Sequence, residues 1–84
     1  MIDSIKKALN SLLVEEVCGL LRKMEMDDAI QFIEQHRIDG MTLSEYQNAE
    51  ELKEIGITMV SKRRKLLKLI EEWKKDGVSI VLLH

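Results

Sequence analysis

Proline is absent from this chain of 84 residues, and cysteine, tryptophan, tyrosine and phenylalanine occur once each. No low-complexity tract and no internal repeat interrupts it, so nothing marks a linker or a repeat array. A single cysteine, Cys18, excludes an intrachain disulfide. The first residues, MIDSIKKALN, do not read as a secretory signal, so a reducing intracellular compartment, cytoplasmic or nuclear, is expected. No apolar run approaches the length of a membrane span. Chemistry-bearing residues are equally scarce. His36, His84 and Cys18 stand at no ligand-like spacing, so no metal site, cofactor or catalytic constellation is expected.

What remains is helix-forming material and charge. Hydrophobic residues make up 45% and charged residues 33%, enough for one small domain with a small core. The net charge of −2 conceals a segregation. Residues 25–56 hold nine acids against Arg37 and Lys53, a balance of −7, and residues 58–75 hold seven bases against Glu71 and Glu72, a balance of +5. Such a body can attract its own copies or steer toward a charged partner.

Apolar residues recur at helical steps of three and four nearly throughout. Ile2, Ile5, Leu9, Leu12 and Leu13 predict an amphipathic lead-in, with Asp3 or Ser4 as a possible cap. Leu13, Val17, Leu20, Leu21 and Met24 make the first strong stripe. A second helix, capped by Asp27, turns Ile30, Ile33 and Phe32 inward and ends before a sharp turn at Gly40. Thr42 with Glu45 reads as a capping box, and Asn48 with Glu51 as a weaker one opening a helix over Ala49–Ile55. Gly56 fits a left-handed stop, with Ile57 folding back as its hydrophobic contact. Ser61 or Thr58 opens the last helix, which buries Leu66, Leu67, Ile70 and Trp73, exposes Arg64, Lys65, Lys68, Glu72 and Lys75, and ends at Gly77. The reading is an all-α bundle of five short helices over 12–76, preceded by the helical lead-in over 1–11. The apolar tail over 77–84, VSIVLLH after Gly77, suits a strand, a docked extension, pairing with another chain or passage into a further domain.

The last helix opens on Lys62, Arg63, Arg64 and Lys65. Cations at a helix N-terminus oppose the macrodipole by roughly 0.3–1 kcal/mol each when exposed. Arg64 and Lys68 add a like-charged i,i+4 pair. A solvated face would carry the same residues, but a run that tolerates these costs points to a partner. Arg63 projects toward the core side, where its stem can pack.

The ordered set resembles the SAM (sterile alpha motif) domain, a five-helix module. It comprises VEEVCGLL at Val14–Leu21, Met24-x-Met26, Ile33 with IDG at Ile38–Gly40, AEELKEIGI at Ala49–Ile57 and SKRRKLLKLI at Ser61–Ile70, and it spans most of the chain. Leu20 and Ala29 stand where an aromatic and a tyrosine are common, the segment between Gly40 and Leu52 looks one residue longer than in many members, and Ser61 replaces a frequent glycine. The resemblance implies a non-catalytic interaction module, of the adaptor or scaffold kind used in signalling, whose partner is another SAM domain, its own copy or a different one. It implies an end-helix surface of Met59, Val60, Lys62, Arg63, Arg64 and Lys65. It also implies a mid-loop surface of Asp39, Glu45, Glu50, Glu51 and Glu54. Docking of one on the other would give a ring or a filament. Some SAM domains bind RNA hairpins through the start of helix five, and RRKLLK at Arg63–Lys68 looks like that region; anionic lipid is a further candidate. Overall acidity, Ser61 and the lack of an aromatic beside the basic run count against RNA, since Phe32 and Tyr46 lie elsewhere in the sequence.

Overall fold

The computed structural model describes residues 5–83; the expected lead-in residues Ile2, Asp3 and Ser4, and His84, lie outside the described residues. The stripe after Leu12 forms α1, Val14–Lys23, which buries Val17, Cys18, Leu20 and Leu21. Glu15 and Glu16 in its first turn and Arg22 and Lys23 in its last match the helix dipole. Leu13, at the N-cap, donates its N–H to Glu16 Oε1 at 2.9 Å. The helix closes with Glu25 left-handed at φ 59, while Met26 N–H reaches back to Leu21 O at 2.8 Å.

A 3-10 turn, Asp27–Ala29, leads into α2, Ile30–Gln35, and buries Ala29 while α2 buries Ile33. Asp27 makes no capping bond, contrary to the sequence reading. The sharp turn after α2 falls at Arg37, with φ 54, and not at Gly40. There Ile38 N–H donates to Ile33 O at 2.9 Å and the Ile38 side chain seals the end.

Gly40 instead begins α3, Gly40–Ser44, where it packs against the backbone of a 3-10 turn at Leu9–Ser11 and donates its N–H to Leu12 O at 3.0 Å. The cap of α3 is Asp39, not Thr42: Asp39 Oδ1 accepts from both the N–H and the hydroxyl of Thr42, each at 2.9 Å. Those bonds stabilise the carboxylate and hold its pKa below the ordinary value. Asn48 Oδ1 does accept from Glu51 N–H, as expected, but Glu51 Oε1 turns to Gln47 N–H. The segment that follows, Glu51–Ile55, is a 3-10 helix and not an α-helix. It buries Leu52 and Ile55 and stops at Gly56, φ 90, with Ile57 folded inward.

The last and longest element is α4, Val60–Asp76. It buries Arg63, Leu66, Ile70 and Trp73, leaves Leu67 half-buried, and ends at Gly77 with φ 82. The described chain is therefore mostly helical, with four α-helices and 3-10 turns around one core, and the fourth of the five expected helices is the 3-10 segment.

The two ends meet. Residues Lys6–Lys7 form β1, which pairs antiparallel with β2, Val78–Ser79; Lys6 lies opposite Ser79 and Lys7 opposite Val78. The described part of the lead-in, expected as a helix, is thus a short strand followed by the Leu9–Ser11 turn. The tail docks on its own domain: Val78 is fully buried, the turn at Ile80–Leu83 lies along α1, and Lys23 Nζ donates to Val81 O at 2.8 Å. Lys7 fastens the other strand to α1 through Glu16, at 2.8 Å. Val78→Ala should lower the unfolding free energy by about 1–3 kcal/mol, measured by urea denaturation. An unchanged midpoint would mean that the clasp is ornament.

Candidate protein-interaction surfaces

Helical geometry sorts the basic run of α4 into two directions. Arg63 shares a stripe with Leu66, Ile70 and Trp73, at steps of three, four and three, and is only 5% exposed. It is the one residue of the expected end-helix surface that the structure places inside. Its neighbours face out: Arg64 and Lys65 are exposed, joined by Lys68 one turn on. Lys62 is half-buried, its Nζ donating to Glu25 O at 3.1 Å across the gap to the end of α1. Met59 and Val60 are 55% and 48% exposed, so two apolar side chains sit in water beside these cations. The helix starts at Val60 with Met59 at its N-cap, which has no side-chain capping bond. The expected caps Ser61 and Thr58 do not serve.

The acidic residues divide differently. Tyr46 is half-buried after α3, and its phenol pKa is raised, first by burial and then by the negative charge of Glu54, Glu51 and Glu45. Three of the five expected mid-loop acids thus exert their charge on this one phenol. Glu45 and Glu54 are exposed, whereas Glu51 is half-buried in its bond to Gln47. Asp39 is committed to capping the far end of α3, about 9 Å along the axis from Glu45, and Glu50 is exposed on the turn that leads into Glu51–Ile55. Met41, 55% exposed, was not singled out in the sequence. It lies four residues before Glu45 and so on the same side of the chain where α3 ends; that spacing was the available signal.

Clefts also open between the elements. The one between α1 and α2 is lined by Glu15, Cys18, Arg22, Glu34 and Arg37. Burial, reinforced by Glu34 and Glu15 against Arg22, raises the Cys18 pKa and keeps the thiol protonated, the opposite of an activated nucleophile. Among the described residues no three His, Cys, Asp or Glu side chains converge to hold a metal ion. No helix among them is long and apolar enough to cross a membrane.

Comparison with protein families gives a match to the SAM domain (sterile alpha motif) over residues 9–74. The chain belongs to the sterile alpha motif family. Comparisons with curated proteins and with solved structures give no match. The matched stretch runs from the Leu9–Ser11 turn to the last turn of α4, so both strands of the terminal clasp lie outside it. Within the SAM framework two of the departures from common residues lie in the core. Leu20 and Ala29 are both buried, so the core between α1 and α2 closes over smaller side chains than an aromatic pair would provide. Ser61 is exposed in the first turn of α4.

Proposed function

We propose that this SAM domain is a non-catalytic protein–protein interaction module that docks on another SAM domain, its own copy or a different one. The start of α4, with Met59, Val60, Lys62, Arg64 and Lys65, meets an acidic surface of the kind formed here by Glu45, Glu51 and Glu54 around Tyr46. One observation carries the reading. Met59 and Val60 stand exposed beside the cations Arg64 and Lys65, Glu45 and Glu54 are exposed as well, and among the described residues no ion pair neutralises the one charge by the other. Both remain available, and their signs are complementary. Because the two patches differ, contact between copies is heterologous and either closes into a ring or continues as a filament. The setting is intracellular, in a scaffold or adaptor. Phosphate would find the same cations, but the aromatic rings needed for base stacking are elsewhere: Phe32 stacks on His36, Tyr46 sits among glutamates and Trp73 is buried.

Sedimentation velocity across a wide concentration range, at low and high salt, tests this. Average mass should rise with concentration and fall with salt, because rim charges are screened over about 8 Å at physiological ionic strength. Association that strengthens with salt would place the contact on apolar surface such as Ile5 and Val81, both about half exposed beside the clasp.

A further inference from the structure

The serine and threonine hydroxyls of the described residues are not equivalent. Ser11 Oγ donates to Ala8 O at 2.8 Å, Ser44 Oγ to Met41 O at 2.6 Å and Thr42 Oγ1 to Asp39 Oδ1 at 2.9 Å. Ser79 is half-buried in the clasp. That leaves Thr58 and Ser61, both exposed and with no hydrogen bond on the hydroxyl among the described residues. Thr58 is followed by Met59 and Val60, whereas Ser61 is followed by Lys62, Arg63, Arg64 and Lys65. A kinase with an acidic substrate groove recognises a serine in such company.

Helical geometry adds a second observation. Ser61 lies in the first turn of α4, and Arg64 and Lys65 follow it at i+3 and i+4, the spacings at which side chains of one helix meet. Side chains on a helix also lean back toward its N-terminus, which carries both cations toward Ser61. Both are exposed, and neither is held in an ion pair among the described residues.

We propose that Ser61 is a phosphorylation site whose phosphate switches off the docking surface at the start of α4. The inference rests on the reading of that surface as the contact, and it names how the contact is regulated. The Ser61 hydroxyl oxygen attacks the γ-phosphorus of ATP bound to a separate kinase, the bond to the departing ADP breaks, and the hydroxyl proton passes to a base of that enzyme. The phosphoserine carries a charge of about −1.5 to −2 and three strong acceptor oxygens. It takes Arg64 and Lys65 as its own charge-assisted partners, so these cations no longer serve a docking protein, and it turns negative charge toward a partner's acids. Folding does not suffer, since negative charge in a first turn suits the macrodipole that the cations oppose. The switch acts on association and not on the fold.

Phosphoserine incorporated at position 61 tests it. The phosphorylated chain should associate about 100-fold more weakly than the unmodified one in sedimentation velocity, because attraction across the contact becomes repulsion, and it should melt no lower. Ser61→Ala should associate like the wild type. A serine kinase that reads basic residues after its acceptor, supplied with ATP, should place a phosphate on Ser61 of the folded wild type, located by peptide mass spectrometry. Arg64→Glu, run in parallel, reports on the docking reading itself. If Arg64→Glu abolishes association while the phosphorylated chain associates like the unmodified one, the inference falls while the reading stands. A folded chain that takes no phosphate at Ser61, or a phosphorylated chain that melts lower, also overturns it. A wild-type chain that stays monomeric, or an Arg64→Glu variant that associates unchanged, removes the reading and this switch with it.

Discussion

Gly40→Ala should cost about 3 kcal/mol or more, at the upper end of overpacking, and lower the melting temperature by roughly 12–24 °C for a chain of this size. The reason is not backbone conformation, since Gly40 is not among the glycines with positive φ. A Cβ at this position would overlap the carbonyl oxygen of Leu9 and lie 2.8 Å from Leu12 Cβ. Leu9 and Leu12 are both buried, and the carbonyl belongs to the main chain of the turn. Neither contact can rotate away as a flexible side chain could. Relief requires α3 to move off the Leu9–Ser11 turn, which also breaks the Gly40–Leu12 hydrogen bond. Gly19 provides the control. It lies inside α1, and the methyl group of an alanine there would meet nothing within 4 Å, so Gly19→Ala should be neutral or stabilise by about 0.5–1 kcal/mol. Equal melting temperatures for Gly40→Ala and the wild type would mean that the turn yields freely and that the close approach is not needed.

Gly40 also shows where the sequence was opaque. A glycine near a helix end reads locally as a left-handed stop, and at Gly56 that reading holds because the required conformation is local. At Gly40 the requirement comes from a backbone segment some thirty residues earlier, and no local pattern announces it. The stops of α1 and α2 fell on Glu25 and Arg37, residues with no left-handed preference, whose turns are held by the buried Met26 and Ile38. Tertiary burial there overrides local propensity. Long amphipathic stripes were legible: α1 and α4 appear where their spacing placed them, although α4 begins without the serine or threonine cap. The 3-10 form of Glu51–Ile55 was not, since five residues support either winding. Nor was the clasp. Two-residue strands carry no periodicity, and Lys6–Lys7 pairs with Val78–Ser79 only because α4 brings the tail back past the N-terminus.

For the surfaces, charge in the sequence was a sound guide to sign and a poor one to position. The basic run could be located on α4 from periodicity alone, and the inward direction of Arg63 followed from its step to Leu66. The acids come from a segment of short turns, where no period fixes direction. The joint influence of Glu45, Glu51 and Glu54 on Tyr46 joins the end of α3 to the 3-10 segment, and Asp39 was drawn off to a capping role.

The docking proposal has a consequence sharper than simple loss of binding. Arg64→Glu should weaken self-association about 100-fold, because it removes one attraction and sets like charges face to face at a cost of several kcal/mol. Arg64 is exposed and makes no hydrogen bond or ion pair among the described residues, so far-UV circular dichroism should not change. Glu54→Lys should do the same from the other side; it is exposed, and unlike Glu51 it holds no backbone amide. Each variant alone should sediment as a monomer. Each also keeps one intact surface, complementary to the one its counterpart retains. Mixed in equal amounts, they should form a one-to-one complex that grows no further, because the two blocked surfaces terminate it at both ends. A mixture that stays monomeric would mean that the α4 start and the acidic cluster are not each other's partners. Variants that associate like the wild type would place the contact elsewhere on the domain. An isologous dimer gives a third signature: both members of the pair use the same patch, so one variant should abolish association and the other leave it intact. The mixing experiment therefore distinguishes the two symmetries as well as the two surfaces, which single substitutions alone cannot do.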